Sequence, residues 1–283
     1  MEIFETKSDM QAWSSAKKAQ GRTLSFVPTM GFLHQGHLSL LELGRPLSHE
    51  LVLSIFVNPA QFGPNEDLDA YPRDIEKDLK LAREAGVTAV FLPGPHEMYG
   101  RDFQTKVFLE HLPNFLCGRS RPVHFAGVAL VVTKLFNIVM PDVAVFGKKD
   151  YQQFQIIRQL IQDLDFNITL IGGEIIRESD GLAMSSRNAY LTPEQRRSAL
   201  CLSQALEAAK AGVAAGEADA KTICQAMTTI INAADHTAID YIEICDPHTL
   251  APVDRINQEV VVALAVQVGR SRLIDNAVMG PSQ

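Results

Sequence analysis

The sequence has few of the features that identify a class of protein directly. Only 4 of the 283 residues are cysteines, and no two share the spacing of a zinc or redox motif, so we expect reduced thiols rather than a disulfide scaffold. The longest apolar runs, residues 125–132 and 260–268, are too short to span a bilayer. The N-terminus lacks the basic start and apolar stretch of a signal peptide. We therefore expect a cytoplasmic protein without a membrane partner.

Positive charge is also in short supply. Lys and Arg total 26 against 33 Asp and Glu, and the formal net charge of −7 disfavours a nucleic-acid partner. A local basic pocket for a small phosphorylated ligand is still compatible with this balance. Hydrophobic residues make up 46% of the chain, which is enough for a globular core. At about 150 residues per domain, the length suggests two domains.

The first two thirds of the chain alternate between short apolar runs and amphipathic stretches. The runs predict strands over residues 24–28, 51–57, 87–92, 143–146 and 168–171, and the periodic stretches predict helices over 74–85, 127–140 and 151–164. This alternation predicts an α/β fold with a parallel sheet covered on both faces. Ligands bind such sheets beyond the carboxyl ends of the strands. The loops at 29–36, 58–63 and 147–150 should therefore share one edge.

The last third has a different pattern. Thr192 as N-cap and Pro193 at the first helical position begin a predicted helix, and Asp219 caps a second. The predicted elements are helices over 193–215 and 219–234 and strands over 238–244 and 259–268. We therefore predict two domains: a Rossmann-like domain over residues 1–176 that binds the ligands, and a smaller C-terminal α+β lid domain over 177–283.

The common nucleotide fingerprints are absent. No G-x-G-x-x-G follows the first predicted strand, and Gly147-Lys148 lacks the remaining residues of a P-loop, which argues against a dehydrogenase and a P-loop kinase. Instead, His34 and His37 lie three residues apart. If a helix begins near Gly36, both imidazoles lie on one face beside its free N–H groups, where a polyphosphate can bind. The alternatives are two surface histidines that cap a helix and, with less support, a zinc site.

A second polar cluster occupies residues 184–188, Met-Ser-Ser-Arg-Asn. Two hydroxyls and a guanidinium in a tight loop suit phosphate oxygens, although a solvated turn before Thr192 would look the same. A histidine motif after the first predicted strand, together with a Ser/basic loop after the last strand of the sheet, is typical of one nucleotidyltransferase superfamily, which carries the HIGH motif.

Seven stretches of the sequence together point to one family. They are Pro28-Thr29-Met30-Gly31, His34-x-Gly36-His37, residues 54–62, Tyr71-Pro72-Arg73, residues 146–153, residues 180–188 and Arg272-Leu273-Ile274-Asp275-Asn276. In these stretches, and over nearly its whole length, the chain resembles the pantothenate synthetase (pantoate–β-alanine ligase) family. The resemblance implies a two-step ligation in which pantoate and ATP form pantoyl adenylate and pyrophosphate, and β-alanine then gives pantothenate and AMP. It also implies Mg²⁺ on the nucleotide phosphates and a homodimer.

The resemblance also implies which residues act. The catalytic residues would be His34, His37 and Lys149, with His37 the family's proposed proton donor. The nucleotide would contact Met30, Gly31, Phe32, Leu33, His34, Gln35, Gly36, His37, Gly147, Lys148, Lys149, Asp150, Ile176, Met184, Ser185, Ser186 and Arg187. The substrates would contact Asn58, Gln61 and Gln153. No metal ligand is assigned, because Asp74 and Asp78 could face a metal or form a solvated helix face.

The sequence departs from the family pattern at two places. Val123 stands where the family usually has Gly and Ala126 where it has a basic or polar residue, and Gly44-Arg45-Pro46 interrupts a predicted helix. These departures affect loop geometry rather than the residues assigned to chemistry. Two alternatives stay open at this point: another small-molecule nucleotidyltransferase of the same superfamily, and a nucleotide-binding module without catalysis.

Overall fold

A computed structural model describes residues 1–64 and 66–281. It divides the chain into two compact units. The first comprises Met1–Glu110, Arg121–Lys148 and Gln153–Glu174, and the second comprises His111–Ser120, Lys149–Gln152 and Ile175–Gln283. Two short internal segments thus group with the C-terminal third, which a single cut at Ile176 does not anticipate. The predicted two-domain division at that residue stays a prediction.

The helices and strands follow one another along the described chain. The strands are β1 (Glu2–Phe4), β2 (Leu24–Thr29), β3 (Glu50–Ile55), β4 (Ala89–Phe91), β5 (Val143–Gly147), β6 (Thr169–Gly173), β7 (Thr237–Cys245), β8 (Val260–Val268) and β9 (Ser271–Met279). The helices are α1 (Lys7–Ala19), α2 (Gln35–Gly44), α3 (Ile75–Glu84), α4 (Pro95–Met98), α5 (Leu116–Ser120), α6 (His124–Val139), α7 (Tyr151–Asp163), α8 (Pro193–Ala199), α9 (Cys201–Ala214) and α10 (Ala220–Asn232). No helix in the described part of the chain is long and apolar enough to cross a membrane.

The first unit is built on a parallel sheet of six strands in the order β1-β4-β3-β2-β5-β6. Every residue of β3 is buried, as expected for a strand covered on both faces. This confirms the α/β prediction and the parallel sheet. Because β3, β2 and β5 are neighbours and run the same way, the chain leaves all three at one edge of the sheet. That edge carries the predicted site loops of this unit.

The second unit packs helices on a three-stranded antiparallel sheet in the order β7-β8-β9. Alternate residues of β8, such as Val262 and Leu264, form one core with Leu202 of α9 and Met227 of α10. The two helices and the strands β7 and β8 confirm the predicted α+β pattern. The predicted helix over 193–215 is divided at Leu200 into α8 and α9.

Five of these helices and strands were not predicted from the sequence, namely β1, β9, α1 and the short helices α4 and α5. Strand β1 has only three residues, α1 buries little more than Met10 and Trp13, and β9 carries buried polar residues where a strand pattern requires apolar ones. The predicted interruption at Gly44-Arg45-Pro46 is confirmed, because α2 ends at Gly44 and a short 3₁₀ turn over Arg45–Leu47 follows.

Candidate nucleotide and substrate site

The loop after β2 has a conformation that depends on one buried carboxylate. Gly31 and Phe32 have φ angles of +81° and +52°, so the chain makes two left-handed steps in succession. A Cβ on residue 31 would lie 2.9 Å from Oδ2 of Asp78, so only glycine fits there. The main-chain N–H groups of Phe32 and Leu33 donate to the two oxygens of Asp78, each at 2.7 Å. Asp78 therefore fixes the backbone of the predicted nucleotide loop.

This role corrects the prediction for Asp78. Its side chain, on α3, is 1% exposed, so the interpretation as a solvated helix face is wrong. Burial raises the pKa of its carboxyl, while the hydrogen bonds from Leu33 and Phe32 act in the opposite direction. Asp74, in contrast, caps α3 by accepting from the N–H of Lys77. Among the described residues, no group of three His, Cys, Asp or Glu side chains could hold a metal ion.

The two predicted histidines lie at the start of α2. His34 is its N-cap and accepts from the N–H of Gly36 through Nδ1 at 3.1 Å, while Nδ1 of His37 accepts from the N–H of His34 at 3.4 Å. Their rings stack with centroids 4.0 Å apart. The predicted helix start and common face are confirmed. The N–H groups at this end are not all free, however, because the rings cap two of them.

These caps determine where each neutral imidazole carries its proton. Nδ1 accepts a hydrogen bond in both rings, so Nε2 carries the hydrogen and is the donor. Each ring therefore uses Nδ1 to hold the helix start and carries its N–H on Nε2. Two neutral N–H donors on one face of a helix N-terminus suit phosphate oxygens.

Asn58 and Gln61 lie beside each other after β3. The amide of Asn58 accepts from Ala60 N–H and the Tyr99 hydroxyl, and it donates to Gly127 O and to Oε1 of Gln61. These contacts use both lone pairs and both hydrogens of the amide. Asn58 therefore holds Gln61 through its side-chain amide, and its predicted role as a substrate ligand stays a prediction.

Gln61 is held through its main chain as well. Its carbonyl accepts from Nδ1 of His124 at 2.9 Å and from the guanidinium of Arg121, which is itself paired with Glu66. Through Nε2, Gln61 contacts Sδ of Met30 at 3.1 Å, which joins this turn to the nucleotide loop. The structure thus brings two of the predicted site segments together.

The start of α6 packs closely on the same turn. A Cβ on Gly127 would lie 2.1 Å from the carbonyl oxygen of Ala60, so the helix requires glycine at this position. Val123 is exposed and lies in the right-handed helical region, where any L-residue is unstrained. The departure from the family at Val123 therefore imposes no strain on this loop. Ala126 is half-buried within α6.

The other predicted residues of the first unit lie at the same edge of the sheet or next to it. Gly147 ends β5, and Lys148 follows it with its ammonium paired to the exposed Glu174. Gln153 is half-buried in the first turn of α7. The roles of these residues in binding stay predictions.

In the second unit, the predicted cation Lys149 is held through its main chain. Its carbonyl accepts from the side-chain amide of Asn276 at 2.8 Å. The neighbouring Asp275 is buried and accepts two hydrogen bonds from Arg177, at 2.7 and 3.0 Å. Burial lowers the pKa of Lys149, and the charges of Asp150 and Asp275 oppose that shift. The ammonium is therefore a cation whose charge the folded protein only partly compensates.

The predicted serine loop forms part of the same unit. Ser185 caps a 3₁₀ turn over Ser186–Tyr190 by accepting from the N–H of Arg187, and Asn188 holds the loop by donating to Glu178 and Ala183. Lys149, Ser185 and Asp275 all line one small cleft. The carbonyl of Ile176, for which adenine contacts were predicted, accepts from the N–H of Met184.

Sequence reasoning missed the observed contacts of several residues that hold the predicted site segments. Asp78 stood within a charged helix, Tyr99 carried no motif, and Arg177 was placed only at the domain boundary. The stretch 272–276 was recognised through its family resemblance, but nothing in it indicated that Asn276 holds Lys149. A buried strand with polar residues inside it is the one signal that could have drawn attention to β9.

Comparisons with known proteins agree over the whole chain. The family model described as pantoate-beta-alanine ligase matches residues 2–278. A pantothenate synthetase of Desulfatibacillum aliphaticivorans is 58% identical over 281 residues, covering 99% of this chain and 100% of the relative. The crystal structure of pantothenate synthetase from Thermus thermophilus superposes with a TM-score of 0.93 at 41% identity, covering 98% of this chain and 99% of that one.

A second solved structure comes with ligands. It is pantoate-beta-alanine ligase from Francisella tularensis complexed with beta-gamma ATP and beta-alanine, with a TM-score of 0.81, 30% identity and full coverage of both chains. Sequence and structure therefore give the same answer, and this chain belongs to the pantoate–β-alanine ligase family.

Proposed function

We propose that this chain ligates (R)-pantoate and β-alanine in an ATP-dependent reaction that yields pantothenate, AMP and pyrophosphate by way of pantoyl adenylate. The observation that carries the proposal is the full-length match to the family, at 58% identity to one of its members. The named ligands of the Francisella structure, beta-gamma ATP and beta-alanine, support two of the three substrates.

The chemistry explains the need for ATP. A free carboxylate is a poor acyl donor because its leaving group would be oxide, whereas AMP leaves readily. In the first step a carboxylate oxygen of pantoate bonds to the α-phosphorus, and the bond from that phosphorus to the bridging oxygen breaks to release pyrophosphate. In the second step the amine of β-alanine attacks the acyl carbon, loses a proton and expels AMP.

The residues fit the charge that develops in the first step. Phosphate oxygens gain charge as pyrophosphate leaves, so preorganised donors contribute most to the rate. The family resemblance assigns His34, His37, Lys149 and Arg187 to the phosphates. The two imidazoles, an ammonium and a guanidinium are groups of this kind. Gln61 and Gln153 offer neutral amides, which can orient pantoate without pairing with the carboxylate that must react.

Magnesium is expected on the nucleotide rather than in a protein cage. The described residues contain no cluster of three metal-binding side chains, and both oxygens of Asp78 already accept from main-chain N–H groups. Mg²⁺ usually binds through substrate phosphates and water with few protein ligands. The residues present do not form a site of their own, so no step is assigned to the ion.

The finer features of the family are proposed with it. A Rossmann-like nucleotidyltransferase topology for the first unit, a second unit that acts as a lid, a homodimer and a cytoplasmic location all rest on the family resemblance. Sedimentation of the purified chain tests the assembly directly: a mass of about two chains supports the homodimer, and a mass of one chain contradicts it.

One assay tests the activity. Pantoate-dependent exchange of pyrophosphate into ATP, followed by release of AMP when β-alanine is added, is expected for the proposed ligase. A nucleotidyltransferase acting on a phosphorylated acceptor would give no pantoate-dependent exchange, and a module without catalysis would give no exchange at all. Absence of exchange would therefore overturn the proposal.

The histidine pair gives a residue-level test. We expect His37→Ala to lower the exchange rate about 100-fold, because a preorganised donor to the phosphates is lost. The melting temperature should change little, since the cap that His37 forms is long, at 3.4 Å. His96→Ala is the control, because His96 is an exposed histidine of the same unit. Equal loss of exchange and melting temperature in His37→Ala would indicate a helix-capping role only.

A further inference from the structure

The orientation of the Asn58 amide follows from two main-chain contacts. Its Oδ1 accepts from the N–H of Ala60 at 3.2 Å, and its Nδ2 donates to the carbonyl of Gly127 at 3.1 Å. A main-chain N–H can only donate and a carbonyl can only accept. The two ends of the Asn58 amide are therefore distinguished by the fold itself, rather than by an arbitrary choice between oxygen and nitrogen.

The orientation of the Asn58 amide determines the orientation of the Gln61 amide. The second hydrogen on Nδ2 of Asn58 points at Gln61 and lies 3.1 Å from its Oε1. Gln61 must therefore present its oxygen to Asn58 and turn its NH₂ group the other way. On that side the NH₂ meets Sδ of Met30 at 3.1 Å, and a thioether is only a weak acceptor. A stronger acceptor on a ligand would replace it at little cost.

Tyr99 completes the arrangement. Its hydroxyl donates to Oδ1 of Asn58 at 2.7 Å, the shortest hydrogen bond of that amide. Its ring is held by Phe56 and Phe103, with ring centroids 6.4 and 5.3 Å away. Burial raises the pKa of the Tyr99 hydroxyl, so the group stays protonated and keeps donating at neutral pH.

We propose that Tyr99 and Asn58 are positioning residues that lock the Gln61 amide with its NH₂ group outward, so that this point of the site selects an acid substrate with an oxygen acceptor there. The inference rests on the proposed function, because it assigns the selectivity of its acid pocket. An amide free to rotate would accept either a donor or an acceptor. A locked amide penalises a substrate that lacks the oxygen, since the N–H group is then left without a partner.

Asn58→Asp tests the lock with almost no change of shape. The variant keeps an oxygen toward Ala60 and Tyr99 but puts a second oxygen where Nδ2 faced both Gln61 and the carbonyl of Gly127, so the hydrogen bond to Gly127 is lost as well. Gln61 then turns its NH₂ group toward residue 58 and its oxygen outward. We expect kcat/KM for pantoate to fall at least about 100-fold, while KM for ATP changes less than about threefold.

Substrate analogues show whether selectivity follows the lock. Two analogues of pantoate each lack a single hydroxyl. For at least one of them, kcat/KM of the wild-type chain should be about tenfold lower than kcat/KM for pantoate, so the ratio of the two values should be about ten. In Asn58→Asp that ratio should approach one. A ratio that stays the same in the variant would overturn the proposal, because discrimination would then not depend on the orientation of Gln61.

A milder variant guards against misfolding. Tyr99→Phe removes one of the two donors to Oδ1 of Asn58 and should raise KM for pantoate about threefold, with kcat and KM for ATP nearly unchanged. Thr237→Val is the matched control, because it removes a half-buried hydroxyl that donates to Ile231 and Ala234 in the second unit. Loss of kcat in equal measure in both variants would indicate a structural role for Tyr99.

A stability measurement needs no substrate and separates this inference from the proposed function. Gln61→Met should lower the free energy of unfolding in the wild-type chain, because Nδ2 of Asn58 loses a partner. In the Asn58→Asp background the same change should have a larger effect, because Gln61 there donates to a buried carboxylate that Gln61→Met leaves without this partner. Additive effects would overturn the lock whatever the chain catalyses. Coupled effects without pantoate-dependent exchange would support the lock and reject only the ligase activity.

Discussion

Two segments that are predicted to bind the nucleotide are held in opposite ways. One is the loop of residues 30–34 between β2 and α2 in the first unit, here the nucleotide loop, and the other is the short turn that contains Lys149 in the second unit, here the Lys149 turn. In the loop, one buried carboxylate of Asp78 accepts from main-chain N–H groups, and the donors that the loop offers are neutral imidazoles. In the turn, Asn276 holds only the main chain of Lys149, while the ammonium stays a charge that burial disfavours.

In the nucleotide loop the anchoring contacts fix the shape of the backbone, whereas in the Lys149 turn the side chain carries a charge that burial disfavours. The loop places uncharged donors accurately, so its anchors contribute to folding as well as to ligand binding. The turn keeps a charge in a partly dehydrated place, which weakens folding, and under the proposed function a bound phosphate would compensate that charge. Burial also raises the pKa of Asp78, but removing that carboxylate leaves two main-chain N–H groups without their acceptor, whereas removing the Lys149 ammonium removes a charge that burial disfavours. Mutations in the two regions should therefore act on stability with opposite signs.

The largest expected effect is that of Lys149→Met. Loss of the ammonium should lower kcat/KM for ATP about 100- to 1,000-fold, which is the range for removing one preorganised electrostatic donor. The pKa of Lys149 is lower in the folded protein than in the unfolded chain, so at pH 7 the unfolded chain holds this proton more tightly. The charge thus opposes folding, and the variant should melt at a higher temperature than the wild type. Steady-state kinetics and thermal denaturation measure the two effects.

A second lysine serves as the control for Lys149→Met. Lys221 is exposed on α10 of the same unit, so Lys221→Met should leave both kcat/KM and the melting temperature nearly unchanged. If Lys149→Met lowered the melting temperature together with the activity, the ammonium would be part of the fold, and the contrast between the two regions would fail.

Asp78→Ala should have the opposite effect on stability. It leaves the N–H groups of Phe32 and Leu33 without acceptors and releases the two left-handed residues, so the free energy of unfolding should fall by about 2–4 kcal/mol. KM for ATP should rise because the loop loses its fixed shape. Denaturant titration and ATP kinetics measure both changes.

Asp74→Ala is the matched control on the same helix. It removes the N-cap of α3, which is worth about 1 kcal/mol, and it should not change KM for ATP. An equal rise in KM for both variants would mean that α3 as a whole, rather than the Asp78 carboxylate, supports the loop.

The part of the fold that could be predicted is the part with regular hydrophobic patterning. Strand β2 and helix α3 show an apolar run and a 3.6-residue period, and both were located from those patterns. Strand β9 was missed because Asp275 and Asn276 are buried in it, and their partners lie far away in sequence. Local patterns carry no information about such distant pairs.

The site shows the same limit. His34 and His37 could be placed on one helix face because their partners are within three residues. Asp78 could not, because it binds N–H groups 46 and 45 residues away, and on a charged helix a buried carboxylate looks like a solvated one. Tertiary hydrogen bonds to main-chain groups leave no trace in residue spacing.

The pH dependence of kcat/KM for ATP gives a sharper measure of the Lys149 charge. The pKa of Lys149 lies below the ordinary 10.5, so as the pH is raised activity should start to fall before pH 10.5 is reached, because the ammonium loses its proton. Above the pKa the rate should fall about tenfold per pH unit. A guanidinium stays charged, so in Lys149→Arg this fall in activity should move to higher pH. A fall that does not move would belong to another group.

The smallest predicted effect concerns the support behind Lys149. Arg177→Lys keeps the charge but replaces the paired contacts with Asp275 by a single one, and we expect a loss of about 0.5–1.5 kcal/mol in the free energy of unfolding. Because Asp275 precedes Asn276, which holds the main chain of Lys149, KM for ATP should rise about twofold.

Arg196→Lys is the comparison for Arg177→Lys. Arg196 also contacts two carboxylates, Glu178 and Asp180, but in a more exposed setting, so its replacement should change the free energy of unfolding by less than about 0.5 kcal/mol and leave KM for ATP unchanged. Equal losses in the two variants would show that the Arg177 pair is an ordinary surface ion pair. The contact of Arg177 with Asp275 would then have no special effect on Lys149. Only the charge of Lys149 would distinguish its turn from the nucleotide loop.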